Sequence, residues 1–88
     1  MVKILTTVNV PLDGDDYDVP SRYHGTKMMI CRGIICNTDG NVIYVDQDGN
    51  TQTLKVADYS GQIFIDGIKQ IKNTAHGTTV GAVSLLYG

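Results

Sequence analysis

The sequence predicts an all-β domain, a small antiparallel β-sandwich or barrel with a long irregular N-terminal arm or loop. Three observations predict it. Val, Ile and Thr each occur nine times among 88 residues, and their branched side chains suit a pleated strand better than a helix. Glu is absent, Ala occurs three times and Gly ten, so the best helix formers are scarce. From Thr26 onward, runs of β-formers are parted by turn dipeptides about every 8–12 residues, the spacing of a small sandwich. The length suits one domain, in which residues 1–26 supply a strand and an acidic arm and residues 27–88 the β-domain. A chain this short buries little more than ~60% of its unfolded surface and gains from partner subunits.

Met1 to Val10 mixes β-branched residues with Thr and Asn and ends at Pro11, which suits an edge strand. Between Pro11 and Gly25, two Pro, two Gly and Asp13, Asp15, Asp16 and Asp18 interrupt any period. So long an irregular stretch is unusual on a small core, and the expectation is an arm that crosses to a neighbouring subunit. Deleting residues 12 to 24 should then leave Thr26–Tyr87 folded. Asp39-Gly40 and Asp48-Gly49 suit tight hairpin turns, so Lys27–Cys36, Val42–Asp46 and Thr51–Ala57 should form a three-stranded meander. In the last of these Leu54 and Val56 share a buried face, while Thr53 and Lys55 face water. Gln62–Asn73 carries apolar residues whose two-residue period slips at Asp66-Gly67, the mark of a bulge or corner. His76-Gly77-Thr78 marks the last turn, and Val80–Tyr87 is a terminal apolar strand. At least five strands are expected, and no helix longer than about two turns. The expected core is Ile30, Ile34, Val42, Tyr44, Leu54, Val56, Ile63, Ile65, Val83 and Leu85.

A net charge of −2 without a basic stripe argues against nucleic-acid binding, and no apolar run approaches a membrane span or secretory leader. Cys31 and Cys36 fall in one predicted strand, roughly 16 Å apart on opposite faces, too far to bridge. Two free thiols fit a reducing cytoplasm. Asp46, Asp48 and Asn50 have the spacing that opens a calcium loop, but Thr51 stands where its sharp turn needs Gly and Ala57 where it needs a bidentate Glu. The Asp13–Asp18 cluster reads as a solvated acidic loop. His24 and His76 lack a second ligand at metal spacing, and strand cysteines in apolar surroundings are usually inert. No catalytic, metal or cofactor-binding residue is therefore assigned, and the chain is not expected to be an enzyme.

Arg32-Gly33-Ile34-Ile35, followed by Asn37-Thr38-Asp39-Gly40-Asn41-Val42, resembles the strand and Gly-turn that open small spike-base structural proteins of tailed bacteriophages and gene transfer agents. Ile68-Lys69-Gln70-Ile71-Lys72, then Gly77-Thr78-Thr79 and Val83-Ser84-Leu85-Leu86-Tyr87, is similar to that family's basic-apolar strand, Gly-Thr-Thr turn and terminal strand. The resemblance spans residues 31–87. Asp66-Gly67 departs from the apolar or Pro residues of the family, and Met1 to Met29 lies outside the match.

The resemblance implies a structural virion protein, a spike base or capsid decoration subunit assembled in the host cytoplasm. It would form a homo-oligomer, a trimer on a capsid face or a pentamer at a vertex, and bind the major capsid protein or other virion proteins. The residues expected at its interface are Pro11, Asp13, Asp15, Asp16, Tyr17, Asp18, Pro20, Arg22 and Tyr23. A small all-β chain with sheet edges to cover fits such a role. The alternative is a carbohydrate- or receptor-binding module of a phage fibre or tail, with a host-surface glycan as partner and tyrosines stacking on sugar.

Overall fold

A computed structural model describes residues 4–59 and 61–88. The start of the expected Met1–Val10 strand lies outside them. The protein is all-β: the described residues form ten strands, paired antiparallel, and two single-turn 3-10 segments. Strands β1 (Thr6–Val10), β5 (Cys31–Cys36), β8 (Ile63–Phe64) and β10 (Val83–Tyr87) form the first sheet in the order β1-β10-β5-β8. Strands β2 (Tyr17–Asp18), β6 (Asn41–Val45), β7 (Thr51–Lys55) and β9 (Gln70–Ile71) form the second, in the order β2-β9-β6-β7. A hairpin of β3 (Arg22–His24) and β4 (Lys27–Met29) stands apart from both.

One apolar core joins the inner faces of the two sheets. Val10, Ile34, Val83 and Leu85 reach it from the first sheet, and Val42, Leu54 and Ile71 from the second. Of the expected core, Tyr44 and Ile65 are only partly buried and Ile30 is exposed. The reason for Ile30 is a bulge. Along the β5–β10 ladder Leu86 faces Gly33 and Tyr87 faces Cys31, so Arg32 is an extra residue that resets the strand's phase. Ile34 points inward, and Ile30, four residues earlier, points out. The same bulge corrects the reading of the cysteines. Cys31 lies in the core and Cys36 packs against it, so both sit on the inner side. Both are free.

The meander is half right. Asp48-Gly49 does connect a hairpin, with Asn41 opposite Lys55 and Val45 opposite Thr51. The Asp46 carboxylate caps that turn, accepting from the Asp48 and Asn50 N–H groups and from the Gln52 amide. These bonds, the Asn50 N–H foremost, hold its carboxyl below the usual range. Asp39-Gly40, by contrast, carries the chain from the first sheet to the second, since β5 and β6 belong to different sheets. The crossing is bound to the Thr78–Gly81 turn: Asn41 N–H donates to Thr79 Oγ1 and Gly81 N–H to Thr38 Oγ1. A hydroxyl-rich neighbour therefore replaced the partner strand that Asp-Gly usually implies.

The expected arm is instead part of the domain. Leu12 is buried in the core, and β2 pairs with β9 through Tyr17–Ile71 and Asp18–Gln70. Asp16 turns inward to accept from the Asn73 N–H at 3.0 Å and the Lys72 ammonium at 3.2 Å, and bonds the His76 ring at 2.7 Å. Farther along, Tyr87 donates its hydroxyl to the Pro20 carbonyl at 2.8 Å. Removing residues 12–24 would take out two strands, β2 and β3, and the core residue Leu12. The Asp-rich composition masked this packing because one carboxylate in the run, Asp16, is a half-buried anchor.

Candidate interaction surface

The register that fills the core also fixes what lies on the outer face of the first sheet. Thr7, Leu86, Gly33 and Phe64 form one row across the four strands. Asn9, Ser84 and Ile35 form the next, and the Ser84 hydroxyl donates to Asn9 Oδ1 at 2.8 Å. On the other side Leu5 N–H bonds the Tyr87 carbonyl, while Ile30 and Gly88 exchange backbone hydrogen bonds. This continues the outward row through Leu5, Gly88 and Ile30 and carries the sheet into the hairpin. There Tyr23 and Met28 pair directly across the strands, on the hairpin side shared with Ile30 by alternation.

Among the described residues seven large apolar side chains are exposed, and six of them lie along this face or on the adjoining hairpin: Leu5, Ile30, Ile35 and Phe64 with the sheet, Tyr23 and Met28 on the hairpin, from 37% exposure at Ile35 to 62% at Tyr23. Leu86, also on the outward row, is buried and lies outside the inner cluster. Exposed apolar residues gathered along one side of a sheet mark an interaction surface more often than scattered ones do. Two depressions adjoin it at the far end of β5. An apolar groove of about 240 Å³ is lined by Ile35, Cys36, Asn37, Ala82 and Ser84. A more polar cleft of about 420 Å³ shares Cys36 and Asn37 and adds Asp39 and Tyr59.

The residues expected at an interface divide between surface and body. Arg22 and Tyr23 belong to the exposed hairpin. Pro11, Asp13, Asp15 and Asp18 are exposed on the opposite, polar part of the chain, with Asp18 accepting from the Gln70 amide. Asp16, Tyr17 and Pro20 are half-buried and serve the fold. The sequence carried a signal for the apolar face in four doublets. Met28-Met29, Ile34-Ile35, Ile63-Phe64 and Leu85-Leu86 each place one residue in the core and its neighbour on the outer side. Doublets are what a sheet covered on both faces requires.

The titratable groups are arranged for structure. Burial pushes both thiols above their ordinary range, which disfavours the thiolate a nucleophile needs. Asp16 is held down at about 2, first by the Asn73 N–H, then by His76 and Lys72. Tyr87 is pushed up to about 12 by burial, with Cys31 and Tyr17 adding to it. Among the described residues no cluster of three or more His, Cys, Asp or Glu gathers to hold a metal ion, and no helix is long and apolar enough to cross a membrane. Comparison of the chain with protein-family models, curated proteins and solved structures found no match.

Proposed function

We propose that this chain is a structural subunit of a tailed-bacteriophage particle, a spike base or capsid decoration protein that assembles with copies of itself on the shell. The observation that carries this reading is the set of exposed apolar side chains along the outer side of the first sheet, Leu5, Ile30, Ile35 and Phe64, continued by Tyr23 and Met28 on the adjoining hairpin. Such a face is costly to leave in water and is ordinarily covered by another protein surface. The resemblance of residues 31–87 to spike-base proteins adds the setting, and the small core adds the motive for association. Binding is the mechanism: the sheet is a rigid platform, and its outer side chains desolvate against the partner.

Mass spectrometry of density-purified particles from cells that make this protein tests the reading. The chain is expected at a fixed stoichiometry to the major capsid protein, and its absence would overturn the virion assignment. Exposed Tyr23 and Tyr59 favour the glycan-binding alternative as a second reading, which a glycan array on the purified protein decides.

A further inference from the structure

The hairpin and the cleft lie at opposite ends of the same ladder. Ile30, where the hairpin joins the sheet, bonds Gly88 at one end of the β5–β10 pair, and Asn37, which lines both depressions, donates to the Ala82 carbonyl at the other. The separation along the strand is roughly 20 Å. Their chemistries are complementary. The segment from Ser21 to Ile30 contains Arg22 and Lys27 and no acidic residue, in a chain of net charge −2. All of its residues but Met29 are exposed; the apolar pair Tyr23 and Met28 shares one side of the ribbon, and Lys27, opposite His24 at the tip, takes the other. The cleft is lined by Asp39, and among its described lining residues there is no Lys or Arg; Asp58, which is not in the lining, ends the adjoining 3-10 turn at the rim, next in sequence to the lining residue Tyr59. Next to it the apolar groove offers Ile35 and Ala82.

We propose that the β3–β4 hairpin of one copy docks into the cleft and groove of a second copy, head to tail, with Tyr23 and Met28 on the Ile35 groove and Lys27 against Asp39 and Asp58. A knob and a hole on different patches make a heterologous contact, which closes into a ring or runs on as a filament. The charges give direction, because like hairpins repel each other as do like clefts. This inference rests on the homo-oligomeric part of the reading above.

The test uses the full chain in two complementary variants. Tyr23→Asp with Lys27→Glu spoils the hairpin and keeps the cleft; Asp39→Lys with Asp58→Lys does the reverse. In sedimentation velocity the native chain is expected to form species larger than a monomer, and each variant alone to be monomeric. An equimolar mixture of the two should regain association. Retained association in both variants, or a mixture that stays monomeric, would overturn the contact. An independent arm needs no variant. Carbodiimide treatment of mixed light- and heavy-isotope native chains should join Lys27 of one isotope to Asp39 or Asp58 of the other. Cross-links confined to one isotope, or none at these residues, would overturn it. A chain present in particles yet monomeric in both arms would sink the head-to-tail contact and leave the virion reading standing. Absence from particles would sink the virion reading whatever the oligomeric state.

Discussion

The two four-stranded sheets share one core but are finished differently on their outer sides. On the second sheet the outward rows pair Asn41 with Lys55, Ile43 with Thr53 and Val45 with Thr51, and the protein's own last turn covers part of them. The Thr78 hydroxyl accepts from the Ile43 N–H, and Gly77 lies so close that a Cβ there would be 3.1 Å from the Ile43 side chain. On the first sheet Leu86 is buried in the outward row, but Leu5, Ile30, Ile35 and Phe64 around it are exposed. Alternation alone gives every sheet two faces. What distinguishes these is that one is finished by polar side chains and a local turn, while the other exposes four large apolar side chains.

The sharpest way to break the first sheet is at Gly33. It adopts φ +155°, and a Cβ there would lie 1.9 Å from the Ile63 carbonyl oxygen. Gly33→Ala should expel β8 from the sheet and cost about 3–5 kcal/mol, read as a fall in the urea midpoint. Next come paired substitutions on opposite faces of one sheet. Leu85→Ala, at a position with no exposure, should cost about 2–5 kcal/mol. Phe64→Ser should change stability by no more than about 0.5 kcal/mol while weakening association. Equal stability losses at the two positions would mean that the outer face is core, and the contrast between the sheets would collapse.

Two smaller effects probe the ties of residues 11–20. Tyr87→Phe removes the donor to the Pro20 carbonyl and should cost about 1 kcal/mol at neutral pH. Because the folded state raises the Tyr87 phenol to about 12 from an ordinary value of 10.0, its contribution is complete below pH 10 and is lost as pH rises through about 12. The variant should therefore show a flatter alkaline limb in thermal unfolding. Asp16 works with the opposite sign. The folded state lowers its carboxyl from 3.8 to about 2, so its contribution is present above pH 3.8 and is lost as pH falls through about 2. Asp16→Asn should flatten the acid limb and leave the alkaline limb unchanged.

Local chemistry made much of the fold legible. The β-branched composition announced strands, Asp48-Gly49 a hairpin, and Leu54 with Val56 a buried face that the structure keeps, with Thr53 and Lys55 exposed. Asp66-Gly67 does form a corner, with Gly67 at φ +79° between the short strands β8 and β9. What stayed hidden depended on partners distant in sequence. The bulge at Arg32 is set by β10, more than fifty residues later, and no local pattern marks it. Asp39-Gly40 looks the same as Asp48-Gly49 until Thr78 and Thr79 arrive to bind the crossing. Asp16 is indistinguishable by sequence from its solvated neighbours Asp13 and Asp15, because its partners Lys72, Asn73 and His76 lie about sixty residues away. The apolar face was half visible in the doublets, but which member of each pair faced outward required the register.

Footprinting by a photogenerated carbene, on dilute monomeric chain and on the assembled protein, tests most directly whether the outer face of the first sheet is the covered one. Labelling of Leu5, Tyr23, Met28, Ile30, Ile35 and Phe64 is expected to fall on assembly, while Thr51, Thr53 and Lys55 on the second sheet stay labelled. Protection that falls on the second sheet, or labelling unchanged on both, would contradict the assignment of the first sheet's outer face as the surface through which this protein works.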